Sequence, residues 1–237
     1  MSPSGTSPVC GVEAVGKHLL IRFAEGTTLR THLRMTGSWH LYRTGERWQK
    51  GAHLMRALVE VPGWVAVCFA APVVELEHDA TGGPQVRHLG PDLTRADLTD
   101  EQLDECVERL GTLVAPTAEI GAVLLDQRIA CGVGNVYKSE ALWATQVDPF
   151  ATVGDLDAAT RRKILEVAHR QLAANVAVFG ERVTYREGGG AEGVAVYGRR
   201  GRACPRCGTP IQMRRQGEQA RSTYWCPGCQ TNGGASA

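Results

Sequence analysis

The chain has 237 residues, enough for one large domain or two small ones that each bury a core. Hydrophobic residues make up 43% and charged residues 22%, which excludes a wholly disordered chain. No apolar run reaches the length of about 18 residues that a membrane span needs. The first residues also lack the basic start and apolar centre of a secretory signal. We therefore expect a soluble, cytoplasmic protein.

The basic residues are concentrated at the C-terminal end, although the formal net charge is only +1. From Arg182 onward there are nine arginines and three glutamates, a local charge of +6. A basic tail on a nearly neutral body predicts a polyanionic partner.

Short segments rich in β-branched and aromatic residues dominate the first third of the chain. Turn signals such as Glu25-Gly26 and Pro62-Gly63 separate them. The predicted strands are 18–23, 28–33, 38–42, 53–61, 64–69 and 73–77. Six strands at this spacing indicate a sandwich or barrel over residues 12–78 that lacks its first strands. The Pro/Ser/Gly-rich residues 1–11 predict a disordered lead.

Polar residues 79–98, rich in glycine and proline, predict a linker to a helical domain at 99–182. Thr99 and Gln102 have capping-box spacing. Further helices are predicted at 118–127, 135–146 and 157–179, and a Gly-rich stretch (188–193) and a strand (194–198) begin the last domain, 183–237.

Four of the eight cysteines form two C-x2-C pairs that 18 residues separate: Cys204, Cys207, Cys226 and Cys229. Each pair can supply two thiolates from a tight turn, and four sulfur ligands with no open position indicate one structural zinc ion. The alternatives are a redox pair or a chance pattern. The other cysteines are scattered singly, so a secreted disulfide scaffold is not indicated.

Seven arginines lie within residues 199–221, opposed by Glu218 alone. Guanidinium groups match phosphate oxygens, which favours nucleic acid over a merely solvated cationic surface. The loop from Gly132 to Asn135 opens a helix and could bind an anion, although the loop taken alone favours the interpretation of Asn135 as an ordinary N-cap. Lys17 alone reads as a solvated lysine, and Met35 alone as a core residue.

Two segments resemble the formamidopyrimidine-DNA glycosylase and endonuclease VIII family. LLDQRIACGVGNVYKSEALW (124–143) is similar to its helix-two-turn-helix segment, and VYGRRGRACPRCGTPI to WCPGCQ (196–230) is similar to its C-terminal zinc finger. GKHLLIRF (16–23) and HLRMTG (32–37) resemble parts of its N-terminal β-sandwich. The resemblance implies an α+β protein: a truncated β-sandwich, a helix-two-turn-helix domain and a zinc-finger hairpin.

The resemblance also implies base-excision repair: binding of damaged double-stranded DNA, flipping of a base, cleavage of its glycosidic bond and strand cleavage by elimination. Carried over residue by residue, Asn135 and Arg221 match the pair that holds the phosphate beside the flipped nucleotide. Lys17 matches a phosphate-contacting lysine, and Met35 lies on the turn whose apolar side chain fills the gap in the base stack. We expect the protein to act as a monomer.

Two departures from the family pattern matter. Residues 77–94 lack the Asp-x-Arg-Arg-Phe-Gly segment of the branch that removes oxidised purines, which favours the endonuclease VIII branch and oxidised pyrimidines. The family's nucleophile is an N-terminal proline followed by glutamate, whereas this chain reads Met1-Ser2-Pro3-Ser4 and reaches GKHLL about 40 residues early. No catalytic residue is therefore identified in this sequence.

Four interpretations stay open. The chain is a glycosylase and lyase whose true start lies upstream, or it is a non-catalytic protein that binds abasic sites. A third is an RNA-binding protein that shares the helix-two-turn-helix element. In the fourth, Lys17 replaces the proline as the amine that forms a Schiff base, which requires a lowered pKa.

Overall fold

The computed structural model describes residues 7–78, 86, 88–176, 183–184 and 193–231. The predicted features at 1–6, 79–85, 87, 177–182 and 188–192 lie outside the described residues. By its contacts the chain divides into two compact units, residues 1–88 and residues 89–237.

Two antiparallel sheets make up the first unit. One has the order β1-β2-β3-β7 and the other β4-β6-β5. Trp39 joins the two sheets, because its indole N–H donates to the Thr31 hydroxyl over 3.1 Å. The strands are β1 (Val9–Val15), β2 (His18–Phe23), β3 (Thr27–His32), β4 (Ser38–Arg43), β5 (Met55–Val61), β6 (Trp64–Phe69) and β7 (Val73–His78).

The first of these strands was not expected, since residues 1–11 were predicted to be a disordered lead. β1 begins at Val9 and pairs antiparallel with β2, with Val12 opposite Ile21. Most side chains of β1 are exposed or half-buried. The strand is therefore held mainly by its hydrogen bonds to β2, which a pattern of buried residues in the sequence does not reveal.

Helices dominate the second unit: α1 (Asp100–Thr112), α2 (Ile120–Val123), α3 (Asn135–Ala144) and α4 (Ala158–Val176). The predicted capping box at Thr99 is confirmed, with the Thr99 hydroxyl and the Gln102 side chain each bonded to the other's backbone amide. The helix α4 packs against α1 and α3. Their shared core contains, fully buried, Leu93, Leu110, Ile120, Leu142, Ile164 and Leu165.

Three segments of this unit differ from expectation. Residues 89–98 were predicted as linker, but Leu93 is buried in the helical core. The helix expected over 118–127 is only the single turn α2. The strand expected at 194–198 is not formed, because its backbone amides at 195–197 bond to the Glu140 carboxylate instead of a neighbouring strand.

A two-stranded hairpin follows, β8 (Gln212–Gln216) and β9 (Arg221–Trp225), with Gln216 opposite Arg221. None of the helices in the described ranges combines the length and apolarity of a bilayer span. The mixed α+β architecture predicted from the sequence is the one observed.

Candidate functional site

Asn135 is the first residue of α3, directly after a glycine turn. Gly132 has φ 97°, and a Cβ there would lie 2.8 Å from Thr94 Cγ2, so the turn requires glycine. The N-cap is Gly134, and no side chain caps the helix. The interpretation of Asn135 as an ordinary N-cap is therefore wrong. Its Nδ2 instead donates to the Ser222 carbonyl over 2.7 Å, and its Oδ1 is buried without a hydrogen-bond partner among the described residues.

Arg221 begins β9, one residue before the strand position that Asn135 contacts. The structure thus brings together the two residues that the sequence paired. Arg221 is exposed, and its Nε and Nη2 lie 3.2 and 3.1 Å from the Gln219 side-chain oxygen. Within the described residues no carboxylate pairs with Arg221, so its positive charge is not neutralised locally. We call Asn135 and Arg221 the clamp.

A chain of buried hydrogen bonds lies behind the clamp. Lys138 Nζ donates to the Thr223 hydroxyl over 2.7 Å, and this hydroxyl donates to Gln216 Oε1 over 2.7 Å. The Gln216 amide in turn donates to Glu119 Oε2 and the Pro149 carbonyl. The chain ties α3 to both strands of the hairpin and to the start of α2. Sequence reasoning missed Lys138, although its i, i+3 spacing from Asn135 places both on one helix face.

Glu140, also on α3, holds the segment that precedes the metal-binding cysteines. Its carboxylate is 1% exposed and accepts the backbone N–H groups of Ala195, Val196 and Tyr197, each at 2.8 Å. The Thr184 hydroxyl adds a fourth hydrogen bond at 2.7 Å. A buried carboxylate is stable when its acceptor positions are filled in this way. Nothing in the local sequence indicates these partners, which lie more than 40 residues away.

The four cysteine sulfurs lie within 4.8 Å of one another. Three of the separations are 3.3, 3.4 and 3.8 Å: Cys207 to Cys229, Cys207 to Cys226 and Cys204 to Cys229. Thiolates held about 2.3 Å from one tetrahedral ion lie about 3.8 Å apart, so the cluster fits a metal ion of that size. Hydrogen bonding to Thr209 lowers the pKa of Cys207 to about 6, whereas burial raises the pKa of Cys226 and Cys229.

Trp143, at the end of α3, connects the helix to the cysteine cluster. Its indole N–H donates to Cys204 Sγ over 3.4 Å. The Arg206 guanidinium lies 4.1 Å above the indole ring and donates to the Trp143 carbonyl over 3.0 Å. Arg206, one of the arginines assigned to a phosphate surface by sequence, is therefore engaged in holding the metal site against α3.

In the first unit, Lys17 and Met35 lie at the same end of the β1-β2-β3-β7 sheet. Lys17 is exposed in the turn from β1 to β2, and Met35 is 88% exposed three residues after β3 ends. The preceding Arg34 has φ 47°. Burial first, and then the charges of Arg34, Lys17 and Arg30, lower the pKa of His32, so this end of the sheet is electropositive.

Residues 89–186 match the family model described as the formamidopyrimidine-DNA glycosylase H2TH domain, and residues 201–232 match a zinc finger found in FPG and IleRS. The probable endonuclease 8 2 of Streptomyces coelicolor is 39% identical over 226 residues, covering 94% of this chain and 79% of the relative. The DNA-(apurinic or apyrimidinic site) lyase Nei2 of Mycolicibacterium smegmatis is 35% identical, covering 91% and 80%.

Solved structures share the fold. The Lactococcus lactis formamidopyrimidine-DNA glycosylase, solved non-covalently bound to DNA containing an AP site, superposes with a TM-score of 0.77 at 24% identity. The alignment covers 95% of this chain and 82% of that one. The sequence relatives, together with both matched domain models, lead to one conclusion: this chain belongs to the formamidopyrimidine-DNA glycosylase and endonuclease VIII family of DNA repair proteins.

Proposed function

We propose that this protein acts in base-excision repair, binding damaged duplex DNA, removing an oxidised base and cleaving the resulting abasic site by β/δ-elimination. The observation that carries the proposal is the clamp: Asn135 begins α3 and contacts the carbonyl of Ser222, the neighbour of Arg221, and no carboxylate among the described residues pairs with the Arg221 guanidinium. Oxidised pyrimidines are the proposed substrates, since several relatives are named endonuclease 8 and the purine-branch segment is not found in residues 77–94.

The clamp suits a phosphate group for three reasons. The guanidinium of Arg221 offers several donors to phosphate oxygens. The side-chain amide of Asn135 lies at the adjacent start of α3. The first-turn amides and dipole of α3 add positive potential at the same place. Contacts of this kind position a protein on DNA without reading the base sequence.

Lys17 and Met35 supply the proposed contacts of the first unit. Lys17 is an exposed cation on an electropositive end of the sheet and would bind a second phosphate. Met35 is a large apolar side chain that is almost fully exposed to water. An apolar side chain of this kind can insert between bases and occupy the space that a flipped nucleotide leaves.

The proposed metal is one structural zinc ion, held by Cys204, Cys207, Cys226 and Cys229. When bound, it crosslinks two turns and stabilises a hairpin too small to have a core of its own. The chain's contribution is to hold that hairpin against α3, through Trp143 and Arg206, so that Arg221 lies next to the strand residue that Asn135 contacts. All four ligands are protein thiolates, and the ion is assigned no part in the reaction.

Binding is tested with duplex DNA that carries a tetrahydrofuran abasic-site analogue. We expect Arg221→Ala and Asn135→Ala each to weaken binding about tenfold or more, because each removes charge-assisted or amide contacts to phosphate. Arg170→Ala removes an exposed arginine of α4 and serves as the control. Equal affinity of the three variants and the parent would refute the clamp. Tighter binding to structured RNA than to duplex DNA would favour the RNA-binding alternative.

Catalysis is tested by borohydride trapping on duplexes that contain 5-hydroxyuracil or 8-oxoguanine. Trapping requires a protein amine, and the sequence identifies none, so a covalent protein–DNA product and a cleaved strand, with the oxidised pyrimidine preferred, would establish catalysis by this chain. Strong binding without a trapped product or a cleaved strand would instead establish the alternative of a non-catalytic abasic-site binder. Loss of trapping in Lys17→Ala, with binding retained, would identify Lys17 as the amine. Light scattering of the free protein tests the proposed monomer.

A further inference from the structure

Lys138 is a lysine whose side chain is 0% exposed, which is rare for a residue of this type. It stands in the middle of α3, and its ammonium group contacts β9 through the Thr223 hydroxyl over 2.7 Å. Lys138 is not among the family-derived contacts considered above. Its burial therefore needs an explanation of its own.

The ammonium is poorly compensated. An ammonium group has three N–H donors, and within the described part of the chain Thr223 is the one side chain that accepts from it. Glu140, on the same helix, is occupied by the amides of 195–197. Glu119, at the start of α2, is reached only through Gln216. Arg221, on β9, is the charged group that acts on Lys138 directly, and its guanidinium repels the Lys138 ammonium.

Lys138 and Asn135 contact consecutive residues of the same strand. Asn135 donates to the Ser222 carbonyl, and Lys138, one helical turn further on, donates to the Thr223 hydroxyl. Arg221 is the residue just before these two. The buried cation thus lies directly behind the clamp, on the side away from solvent, and its hydrogen bond fixes the strand from which Arg221 projects.

We propose that Lys138 is a positioning residue of the clamp, which aligns β9 with α3 and takes up a proton when a DNA phosphate binds between Asn135 and Arg221. The inference rests on the proposed function of the clamp. Beyond that function, the inference states that DNA binding is coupled to the uptake of one proton by Lys138, a residue that does not contact the DNA.

The direction of the linkage follows from the charges. In the free protein, burial first and then Arg221 lower the pKa of Lys138 to about 8, so that a substantial fraction is neutral above that pH. A bound phosphate offsets the charge of Arg221 and adds a negative charge nearby, which favours the ammonium form. The pKa of Lys138 is then higher in the complex, and DNA binding weakens as the pH rises above about 8.

The proton uptake can be observed directly because the chain has only four lysines: Lys17, Lys50, Lys138 and Lys163. We would label lysine Cε with ¹³C in the metal-loaded full chain and follow each resonance from pH 6.5 to 10.5. The titration is then repeated with the tetrahydrofuran duplex bound, and the spectrum of Lys138→Met identifies the resonance. We expect the midpoint of Lys138 to rise by about one pH unit in the complex, which corresponds to about tenfold in affinity. An unchanged midpoint would overturn the proposal.

Affinity measured at constant ionic strength from pH 7 to 9.5 gives an independent readout. The parent and Lys163→Met, which removes an exposed lysine of α4, should both lose about tenfold in affinity over this range. Lys138→Met should bind DNA more weakly than the parent at pH 7, and its affinity should not depend on pH. Lys138→Arg stays charged over this range, so its affinity should not depend on pH either. A parental pH slope in both Lys138 variants would overturn the inference.

The two proposals fail differently. If Arg221→Ala binds DNA as well as the parent does, the clamp and this inference fall together. If Arg221→Ala weakens binding but the Lys138 midpoint does not move, the clamp stands and only the role of Lys138 is lost. If Lys138→Met folds poorly, variants of Lys17, Lys50 and Lys163 still identify the Lys138 resonance by elimination. The titration midpoint of that resonance, with and without DNA, then tests the proposal.

Discussion

The indole N–H of Trp143 donates to Sγ of Cys204 over 3.4 Å, joining the last turn of α3 to the cysteine cluster. A hydrogen bond to a ligand sulfur orients that sulfur and stabilises its thiolate, which is how groups outside the ligand set alter metal affinity. The Arg206 guanidinium lies 4.1 Å from the centroid of the same indole ring. The metal site is therefore attached directly to the helix that begins with Asn135.

Trp143→Phe keeps an aromatic ring in this position and removes the N–H donor. We expect the affinity for zinc to fall about tenfold or more, because outer hydrogen bonds to metal ligands contribute on that scale. Competition with a chromogenic chelator measures the change. Trp64→Phe, in the first unit, is the control and should leave zinc affinity unaltered. Equal zinc release from both variants would show that the indole contact does not support the site.

Cys226→Ser removes a buried ligand and should abolish stoichiometric metal binding. We expect one zinc per chain in the parent and less than one in the variant by plasma mass spectrometry, since three ligands do not close a structural site. Binding to abasic-site DNA should fall at least as much as in Arg221→Ala, because the whole hairpin loses its support. Cys10→Ser, which changes an exposed cysteine, should keep both metal and binding. A Cys226→Ser protein with a full zinc content would contradict the assignment.

Glu140→Gln should destabilise the second unit by about 2–4 kcal/mol. The carboxylate accepts three backbone N–H groups, and an amide in its place would turn an NH₂ group toward at least one of them. The Thr184 hydroxyl can rotate to accept, whereas the backbone donors cannot. Urea unfolding followed by helix content measures the loss, with the exposed Glu108→Gln as the matched control. A difference of less than about 0.5 kcal/mol between the two variants would show that the cluster contributes little.

His18 should make the first unit sensitive to acid. Burial first, and then the charges of His32 and Arg30, lower its pKa to about 4, so the folded state favours the neutral imidazole. The resulting stability is complete above the ordinary pKa of about 6.5 and is lost as the pH falls toward 4. Because the side chain is only half buried, we expect this contribution to the free energy of unfolding to be about 1–2 kcal/mol.

The comparison that tests this uses His18→Gln and the exposed His53→Gln. Between pH 7 and pH 4.5 the parent and His53→Gln should lose more unfolding free energy than His18→Gln does. The same acid loss in all three proteins would mean that other groups cause it.

The parts of this fold that follow from local rules could be predicted from the sequence. The capping box at Thr99 needs only residues three apart, and the two C-x2-C pairs identify their own metal chemistry. What could not be predicted depends on distant partners. The apolar sequence at 194–198 predicts a strand, because no nearby residue indicates that the amides at 195–197 will bind to Glu140. The local sequence around Asn135 favours an N-cap, since its actual contact, Ser222, is 87 residues away. Lys138 passed unnoticed for the same reason.

The helix α3 spans only Asn135–Ala144, yet four of its side chains hold four different partners: Ser222, Thr223, the amides of 195–197 and Cys204. Each residue of an α-helix is turned about 100° from the last. One inserted or deleted residue between Asn135 and Trp143 would therefore swing every later contact to the wrong side of the helix. Side chains of α3 can be exchanged one at a time during evolution, but its length is fixed, so related proteins should align through this segment without a gap.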